Sequence, residues 1–233
     1  MKIKDIIFLL ILVFLITGCV SNKFNDNYKN MEIKDGKLDG YNMDIRIYGI
    51  ADDKRINEIV RVTNYKDTEY KIDIISNTID MSNNNIEDDL NKEEKTITEP
   101  QSNKSTIYVK DKKIYTSNKD NTYSKVDSAN YTKTYLYLDS LKKINKVKET
   151  KEEKIGENKY KVSKVIFDKD IINQILKDIP INLTIDSDIN GEIYIDSKEY
   201  VYRIIYNIED LTINVNYFGI NIVNPINFPS EIE

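Results

Sequence analysis

The sequence contains two short motifs whose residue types are suited to chemistry. Ser140-Leu141-Lys142-Lys143 matches the S-x-x-K pattern, in which a lysine amine activates a serine hydroxyl for acyl transfer. The stretch from Asp186 to Gly191 matches the first half of a calcium-binding EF-hand loop, with carboxylate and amide oxygens at alternating positions. Complete versions of these motifs would make the chain a serine acyltransferase or a calcium-binding protein.

Both motifs are incomplete. The companion motifs of the Ser–Lys enzymes are absent, and a four-residue pattern occurs by chance in a Lys-rich chain, so we expect Ser140 to lie on a solvated helix face. The acidic residue that should close the EF-hand loop falls at Ser197, which has no carboxylate. The segment therefore predicts an Asx turn that leads into a strand over 192–196, with weak calcium binding as the alternative.

Composition excludes several classes of function. Among the 233 residues there is no His and only one Cys, which excludes catalytic triads based on imidazole, zinc sites with His ligands and an internal disulfide. The net charge is −5, from 34 basic and 39 acidic residues, which gives no support to nucleic-acid binding. We therefore predict a chain that is not an enzyme, with no metal, no cofactor and no nucleic-acid partner.

The N-terminus has the layout of a secretory signal. Lys2 and Lys4 precede an unbroken apolar run over 6–16. A helix of that length rises about 16 Å, roughly half of a hydrocarbon core, so the run is too short for a permanent anchor. The next residues, Thr17-Gly18-Cys19, resemble the lipobox of bacterial lipoproteins, although Ile16 stands where that family commonly has Leu.

The lipobox resemblance implies a diacylglyceryl group on Cys19 and removal of a signal peptide spanning 1–18. Two acyl chains hold a protein stably on a membrane, which predicts a lipid-anchored protein at the extracytoplasmic face of the cell membrane. Residues 19–39 are polar and Asn-rich, as is typical of a tether between an anchor and a domain. An ordinary secretory signal with a chance Cys and an N-terminal membrane helix are the alternatives.

The remainder of the chain predicts a β-rich domain over 40–233. Period-two alternation predicts about ten antiparallel strands. The segments are 41–47, 56–62, 70–76, 106–110, 113–117, 122–126, 159–167, 182–185, 191–196, 199–208 and 212–220. Residues 77–104 interrupt the pattern with Asn, Asp, Glu and Lys, so we expect an insert there, flexible by composition, with a lid as the alternative.

Two helices are predicted among the strands. Apolar residues three or four apart indicate a helix over 131–146, and Asp168 is a good N-cap for a second helix that ends at Pro180. The run of Lys and Glu from 142 to 154 predicts a solvated helix end and a strand edge protected by charge. The sum is an α+β fold built on a single curved antiparallel sheet.

The order of these elements resembles the LolA/LppX-like lipoproteins. The resemblance rests on the lipobox, the tether, a run of strands, the hairpin of residues 107–115, the helix and further strands that follow it, and the closing segment 221–229. One departure is Tyr123, which stands where relatives tend to have Trp. The resemblance implies a half-open β-barrel whose concave face is covered by two or more short helices, an apolar interior that carries a lipid, and no catalytic residues.

Alternation identifies the residues that would line such an interior. They are apolar residues of one sheet face: Met43, Ile45, Ile47, Val60, Val62, Ile72, Ile74, Ile193, Ile195, Ile213 and Val215. The sequence thus predicts a membrane-anchored protein that buries a lipid or another hydrophobic ligand in an apolar cavity. The same residues would equally pack against Ile171, Ile175 and Ile179 as a dry core.

A second function from a different class is also compatible with the pattern. With a filled core, the chain would be an envelope interaction protein that contacts another surface protein. The 17 tyrosines bear on this point, because Tyr200, Tyr202 and Tyr206 are expected on one face of their strand. Cross-strand packing on the outer face of the sheet is the favoured interpretation, and a cavity mouth or a glycan-binding surface is the alternative.

Overall fold

A computed structural model describes residues 39–51, 53–66, 68–80, 103–118, 122–126, 135–177, 179 and 183–232. The predicted signal peptide, Cys19 and the tether lie outside these residues, as does 81–102 of the predicted insert. Neighbouring strands extend into both ends of that insert. The strand before it continues to Asp80, and the strand after it begins at Asn103, whereas the insert was predicted at about 77–104.

Eleven strands of the described residues form one antiparallel sheet. They are β1 (Gly40–Ala51), β2 (Lys54–Tyr65), β3 (Glu69–Asp80), β4 (Asn103–Lys110), β5 (Lys113–Ser117), β6 (Tyr123–Val126), β7 (Ile144–Ile155), β8 (Asn158–Phe167), β9 (Ile189–Ile195), β10 (Val201–Ile208) and β11 (Leu211–Phe218). Their order across the sheet is β6-β5-β4-β3-β2-β1-β11-β10-β9-β8-β7. The sheet is curved and unclosed, with β6 and β7 at its two edges, which confirms the predicted α+β class.

The first and last strands meet in the middle of this sheet. β1 pairs with β2 on one side and with β11 on the other, so that Ile45 lies between Val60 and Val215. We call the face that carries these three side chains the inner face. Because side chains alternate along a strand, the residues between them, such as Asp44 and Arg46, lie on the outer face.

Two short helices lie against the inner face. Helix α1 (Tyr135–Asp139) continues into a 3₁₀ turn over Ser140–Lys143, and helix α2 (Lys169–Leu176) begins after Asp168. The side chain of Asp168 accepts a hydrogen bond from the backbone N–H of Asp170, as expected of an N-cap. Within the described part of the chain, no helix combines the length and apolar character needed to cross a membrane.

The structure corrects two predicted elements and confirms a third. The helix expected over 131–146 gives way to β7 at Ile144, whose Lys and Glu residues form an edge strand as the charge pattern indicated. No strand is found over 183–185, part of the segment predicted at 182–185. The hairpin expected over 107–115 is confirmed, and its turn residues Asp111 and Lys112 both adopt positive φ.

Gly191 allows two strands and a ring to approach closely. A Cβ atom at this position would overlap the carbonyl oxygen of Ile205 and the ring of Phe167. The Phe167 ring in turn packs against Tyr206, with ring centroids 4.8 Å apart. The absent side chain of Gly191 is therefore a requirement for packing between β8, β9 and β10.

We expect Gly191→Ala to lower the free energy of unfolding by about 1–3 kcal/mol, because an extra methyl group must displace the Phe167 ring. Urea unfolding followed by circular dichroism measures this change. The matched control is Gly156→Asn, since Gly156 has nothing within 4 Å of its Cβ position and its φ of 61° is tolerated by Asn. An unfolding midpoint as low in the control as in Gly191→Ala would contradict the packing argument.

Candidate functional site: the inner face of the sheet

The residues predicted to line a cavity all lie on the inner face. The pairings bring them together in rows, for example Met43 beside Val62, and Val62 beside Ile72. Ten of the eleven candidates are buried, and Ile74 is half-buried against the same continuous apolar cluster. These side chains thus share one face of the sheet, and their role in binding stays a prediction.

The helices fill the centre of this face. Ile171, Ile175 and Ile179 belong to the same cluster as the candidate residues, so the direct packing considered from the sequence does occur. Met43, Ile45 and Ile47 have no exposed surface at all. A ligand that reaches the centre of the inner face must therefore displace protein atoms that pack there.

The inner face is less well covered toward β3, β4 and β5. Tyr70 and Ile74 on β3 and Ile114 on β5 are only partly buried, although they pack against the central cluster. Ile74 is next to Val60, which has no exposed surface. Apolar surface that is continuous with the core thus reaches solvent at this margin.

Two polar side chains interrupt the inner face of β2. Glu58 is 4% exposed and lies between Ile47 and Ser76, whereas Asn64 is fully buried between Tyr41 and Tyr70. Burial raises the pKa of Glu58 above its usual value, and a hydrogen bond with the Ser76 side chain opposes this effect. Sequence reasoning overlooked both residues, but they share the phase of Ile56, Val60 and Val62, which was the available signal.

Ser140 is buried, so the prediction of a solvated helix face is wrong. Its hydroxyl donates to the carbonyl oxygen of Tyr137 at 2.7 Å and lies 2.8 Å from the hydroxyl of Tyr206. Lys143, the lysine of the S-x-x-K pattern, is exposed. Ser140 thus bonds α1 to the sheet.

The acidic turn before β9 accepts hydrogen bonds from neighbouring N–H groups. Asp188 accepts hydrogen bonds from the side-chain amide of Asn145 at 2.8 Å and from the backbone N–H of Lys169 at 3.0 Å. Asn190 accepts another from Lys148. These contacts agree with the predicted turn, and no group of metal-binding side chains is found among the described residues.

The tyrosines of β10 do not share one face, contrary to expectation. The pairing between β9 and β10 shifts between Val201 and Arg203, which is the signature of a β-bulge. Tyr206 consequently lies buried on the inner face, where its hydroxyl meets Ser140. Tyr202 lies on the outer face, stacked on Tyr160 at a centroid distance of 4.5 Å.

The outer face carries a groove of about 370 Å³ beside this stack. The Arg203 guanidinium lies over the rings of Tyr194 and Tyr202 and donates from Nε to Asn216 at 2.7 Å. Asp44 and Arg46 form an ion pair of 3.1 Å at the other side of the groove. The outer face is thus polar and partly aromatic, as cross-strand packing on a solvated sheet surface predicts.

Solved structures with the same architecture are known. The chain matches the lipoprotein LppX of Mycobacterium tuberculosis with a TM-score of 0.53 and 11% sequence identity, over 88% of this chain and 96% of that one. It matches LprF of Mycobacterium bovis with a TM-score of 0.54 and 11% identity, over 89% and 94% of the two chains. Neither a protein-family profile nor a curated protein sequence matches this chain.

The fold is therefore that of LppX and LprF, and the resemblance inferred from the order of elements is confirmed at the level of the fold. At 11% identity the likeness does not transfer individual residues. The roles of side chains on the inner face have to be argued from their own surroundings.

The buried carboxyl of Glu58 makes stability depend on pH. Its folded-state pKa is above the ordinary value of 4.5, so its contribution to stability is fully present below pH 4.5 and is lost as the pH rises through the folded-state pKa. We expect Glu58→Gln to be more stable than the wild type at pH 7 and equally stable near pH 4, because Gln keeps the bond to Ser76 without ionising.

Urea unfolding at a series of pH values measures this difference. Glu149→Gln is the control of opposite sign, because the Lys164 ammonium lowers the pKa of the exposed Glu149 carboxyl. That control is expected to lose a little stability at neutral pH and none in acid. A Glu58→Gln variant that is less stable than the wild type at pH 7 contradicts the proposed environment of Glu58.

Proposed function

We propose that this chain is a lipid-anchored protein of the extracytoplasmic face of the cell membrane that binds a lipid or another hydrophobic ligand against its inner face, without catalysing a reaction. The observation that carries the proposal is the continuous apolar inner face of an unclosed sheet, in a fold shared with the lipoprotein LppX. In this proposal Cys19 of the lipobox is the acylated residue, and the tether links it to the β-rich domain.

The apolar margin at β3 to β5 is the proposed point of entry. Ile74 and Ile114 already combine contact with the core and contact with solvent. An acyl chain that covers them removes apolar surface from water at about 25 cal/mol per Å². This gain is available before any packed side chain has to move.

Deeper insertion of an acyl chain requires the two helices to move away from the sheet, and their short length favours this movement. Helix α1 has five residues and α2 has eight, so few backbone hydrogen bonds hold each helix together without tertiary packing. Displacing α1 and α2 would uncover the inner face of the predicted half-open barrel and expose Ile45 and Ile213. Burial of an acyl chain at about 0.8 kcal/mol per methylene offsets the loss of that packing.

We propose that the chain is not an enzyme because the Ser140 hydroxyl is already hydrogen-bonded within the fold. Its two partners are Tyr137 and Tyr206, and Lys143 is directed to solvent rather than buried beside it. A serine nucleophile needs a base within hydrogen-bond reach, and the described residues around Ser140 supply a carbonyl and a phenol instead.

A second candidate function is favoured by the filled centre of the inner face. If the packed core persists in solution, the outer groove beside Arg203 and Tyr202 is the surface on which an envelope interaction protein would contact a protein partner, since Arg and Tyr are enriched at such contacts. Crosslinking to one envelope protein, together with no lipid uptake, would favour this function over the first.

We expect the mature chain without its anchor to take up lipid from a membrane extract, and we expect Ile74→Asp to reduce that uptake by about tenfold or more. The reason is that an acyl chain over the β3 margin would have to desolvate the new carboxylate. Native mass spectrometry measures the bound fraction. The control is Ile75→Asp, because the adjacent Ile75 is also half-buried but lies on the outer face.

The control variant should bind lipid as the wild type does, and thermal denaturation verifies that both variants are folded. A wild-type chain that retains and takes up no lipid overturns the proposed function. Equal uptake by Ile74→Asp and Ile75→Asp overturns the proposed entry at β3.

We expect Cys19 to carry the anchor. Cells fed an alkyne analogue of palmitate should label the wild-type chain and retain it in the membrane fraction, since two acyl chains give stable binding. Cys19→Ala should be unlabelled, because the chain has no other Cys. Ser21→Ala is the matched control and should be labelled normally, whereas an unlabelled wild type contradicts lipidation.

A further inference from the structure

Two buried polar side chains on the inner face have no hydrogen-bond partner. Asn64 is fully buried, and neither its oxygen nor its nitrogen is bonded. Tyr217 is 1% exposed, and its hydroxyl is likewise unpartnered. Because buried polar groups in folded proteins are almost always hydrogen-bonded, two such exceptions on one face call for an explanation.

The two groups lie at the same end of the sheet. Asn64 on β2 is opposite Tyr41 on β1, and the Tyr41 ring packs edge-on against the Tyr217 ring of β11 at a centroid distance of 5.5 Å. Asn64 and Tyr217 therefore lie on either side of Tyr41, on three adjacent strands of the inner face.

The hydroxyl of Tyr206, which is also buried on the inner face, does have hydrogen-bond partners. The Tyr206 hydroxyl lies 2.8 Å from the Ser140 hydroxyl and 3.3 Å from the carbonyl oxygen of Tyr137. Burial and the neighbouring tyrosines raise the pKa of Tyr217 well above its usual value, so the phenol is neutral and able to donate.

The surroundings define which chemical group would fit. Between the levels of Asn64 and Glu58, no charged side chain lies on the inner face of β1, β2, β3 or β11. A phosphate or another ion would find no countercharge there. An amide side chain offers one acceptor and two donors, and a phenol offers one donor, which suits a neutral group containing a carbonyl.

We propose that Asn64 and Tyr217 bind the neutral polar end of an acyl ligand, namely an amide, an ester or a protonated carboxyl group, while its hydrocarbon chain lies along the inner face toward Glu58. This inference rests on the proposed function and names its ligand class. From Asn64 to Glu58 is six residues of β2, a span of about 20 Å in a strand, which is the length of a long acyl chain.

The unpartnered groups also favour opening. In the closed arrangement they have given up water without gaining a partner, which raises the free energy of that arrangement. A ligand that bonds both groups gains more in the open arrangement than in the closed one, and only such a difference shifts the balance between the two. The polar end of the ligand thereby helps to displace the helix layer above the sheet.

The test compares two probes of equal chain length, hexadecane and palmitamide, which differ only in the polar end. The mature chain carrying Cys19→Ser, which is not acylated, is used as the wild type for binding. We expect it to bind palmitamide about tenfold more tightly than hexadecane by native mass spectrometry. Tyr217→Phe should lose this preference and bind hexadecane unchanged, and Asn64→Leu should behave in the same way.

Stability of the ligand-free variants gives a second readout. Tyr217→Phe removes an unpartnered hydroxyl, so its unfolding midpoint should equal or exceed that of the wild type. Tyr206→Phe is the matched control, because it removes a bonded hydroxyl and should lower the midpoint while leaving the preference for palmitamide intact. A merely structural role of Tyr217 would instead lower its midpoint as well.

Each outcome decides a separate point. If the wild type binds neither probe, the proposed function fails and the inference fails with it. If it binds both probes equally, or if Tyr217→Phe keeps the preference for palmitamide, the inference alone is overturned. A drop in the unfolding midpoint of Tyr217→Phe equal to that of Tyr206→Phe assigns the hydroxyl to a structural water and overturns the inference too.

Discussion

The pairing of β1 between β2 and β11 is the constraint on which the rest of the structure depends. It joins residues near the start of the domain to residues near its end, as in the pair Met43 and Tyr217. Because side chains alternate, a shift of this register by one residue would exchange the inner and outer faces of the whole strand. Because β1 lies in the middle of the sheet, its register determines which side chains of the neighbouring strands share the apolar face. The sheet does not close on itself, so other elements have to cover that face.

The helix layer meets this need only in part. Ile171, Ile172, Ile175 and Leu176 of α2 are buried in the core, whereas Ile74 on β3 and Ile114 on β5 stay half-buried. The hydrogen bond between the Ser140 and Tyr206 hydroxyls is directional, so it orients α1 on the sheet in addition to the apolar contacts. The inner face thus has a well-covered part beneath the helices and a partly exposed margin at β3 to β5.

The sequence predicted the fold best where alternation was unambiguous. β1, β2, β3 and β11 each bury one side, so period two was visible in Met43, Ile45 and Ile47. β7 was not identified by alternation, because an edge strand that is exposed on both sides has no apolar period, although its run of Lys and Glu did indicate a charged strand edge. Tyr206 was assigned to the wrong group because a bulge after Val201 changes the phase without any local sequence signal. Ser140 was misjudged since its partner is 66 residues away.

Some inner-face positions carry a polar residue where the alternation predicts an apolar one, and such positions distinguish this chain within the shared fold. The apolar positions only have to fill space, and many combinations of Ile, Val and Leu do so, which is consistent with a shared fold at 11% identity. Glu58, Asn64 and Tyr217 do not follow that rule, since each adds a buried polar group that costs free energy in the closed chain. Under the proposed function, a neutral amide and phenol at one end of an apolar stretch, and a carboxyl with a raised pKa at the other, would set both the length and the polarity of the ligand. Selection among hydrophobic ligands would then depend on the few positions where the alternation is kept but the residue is polar.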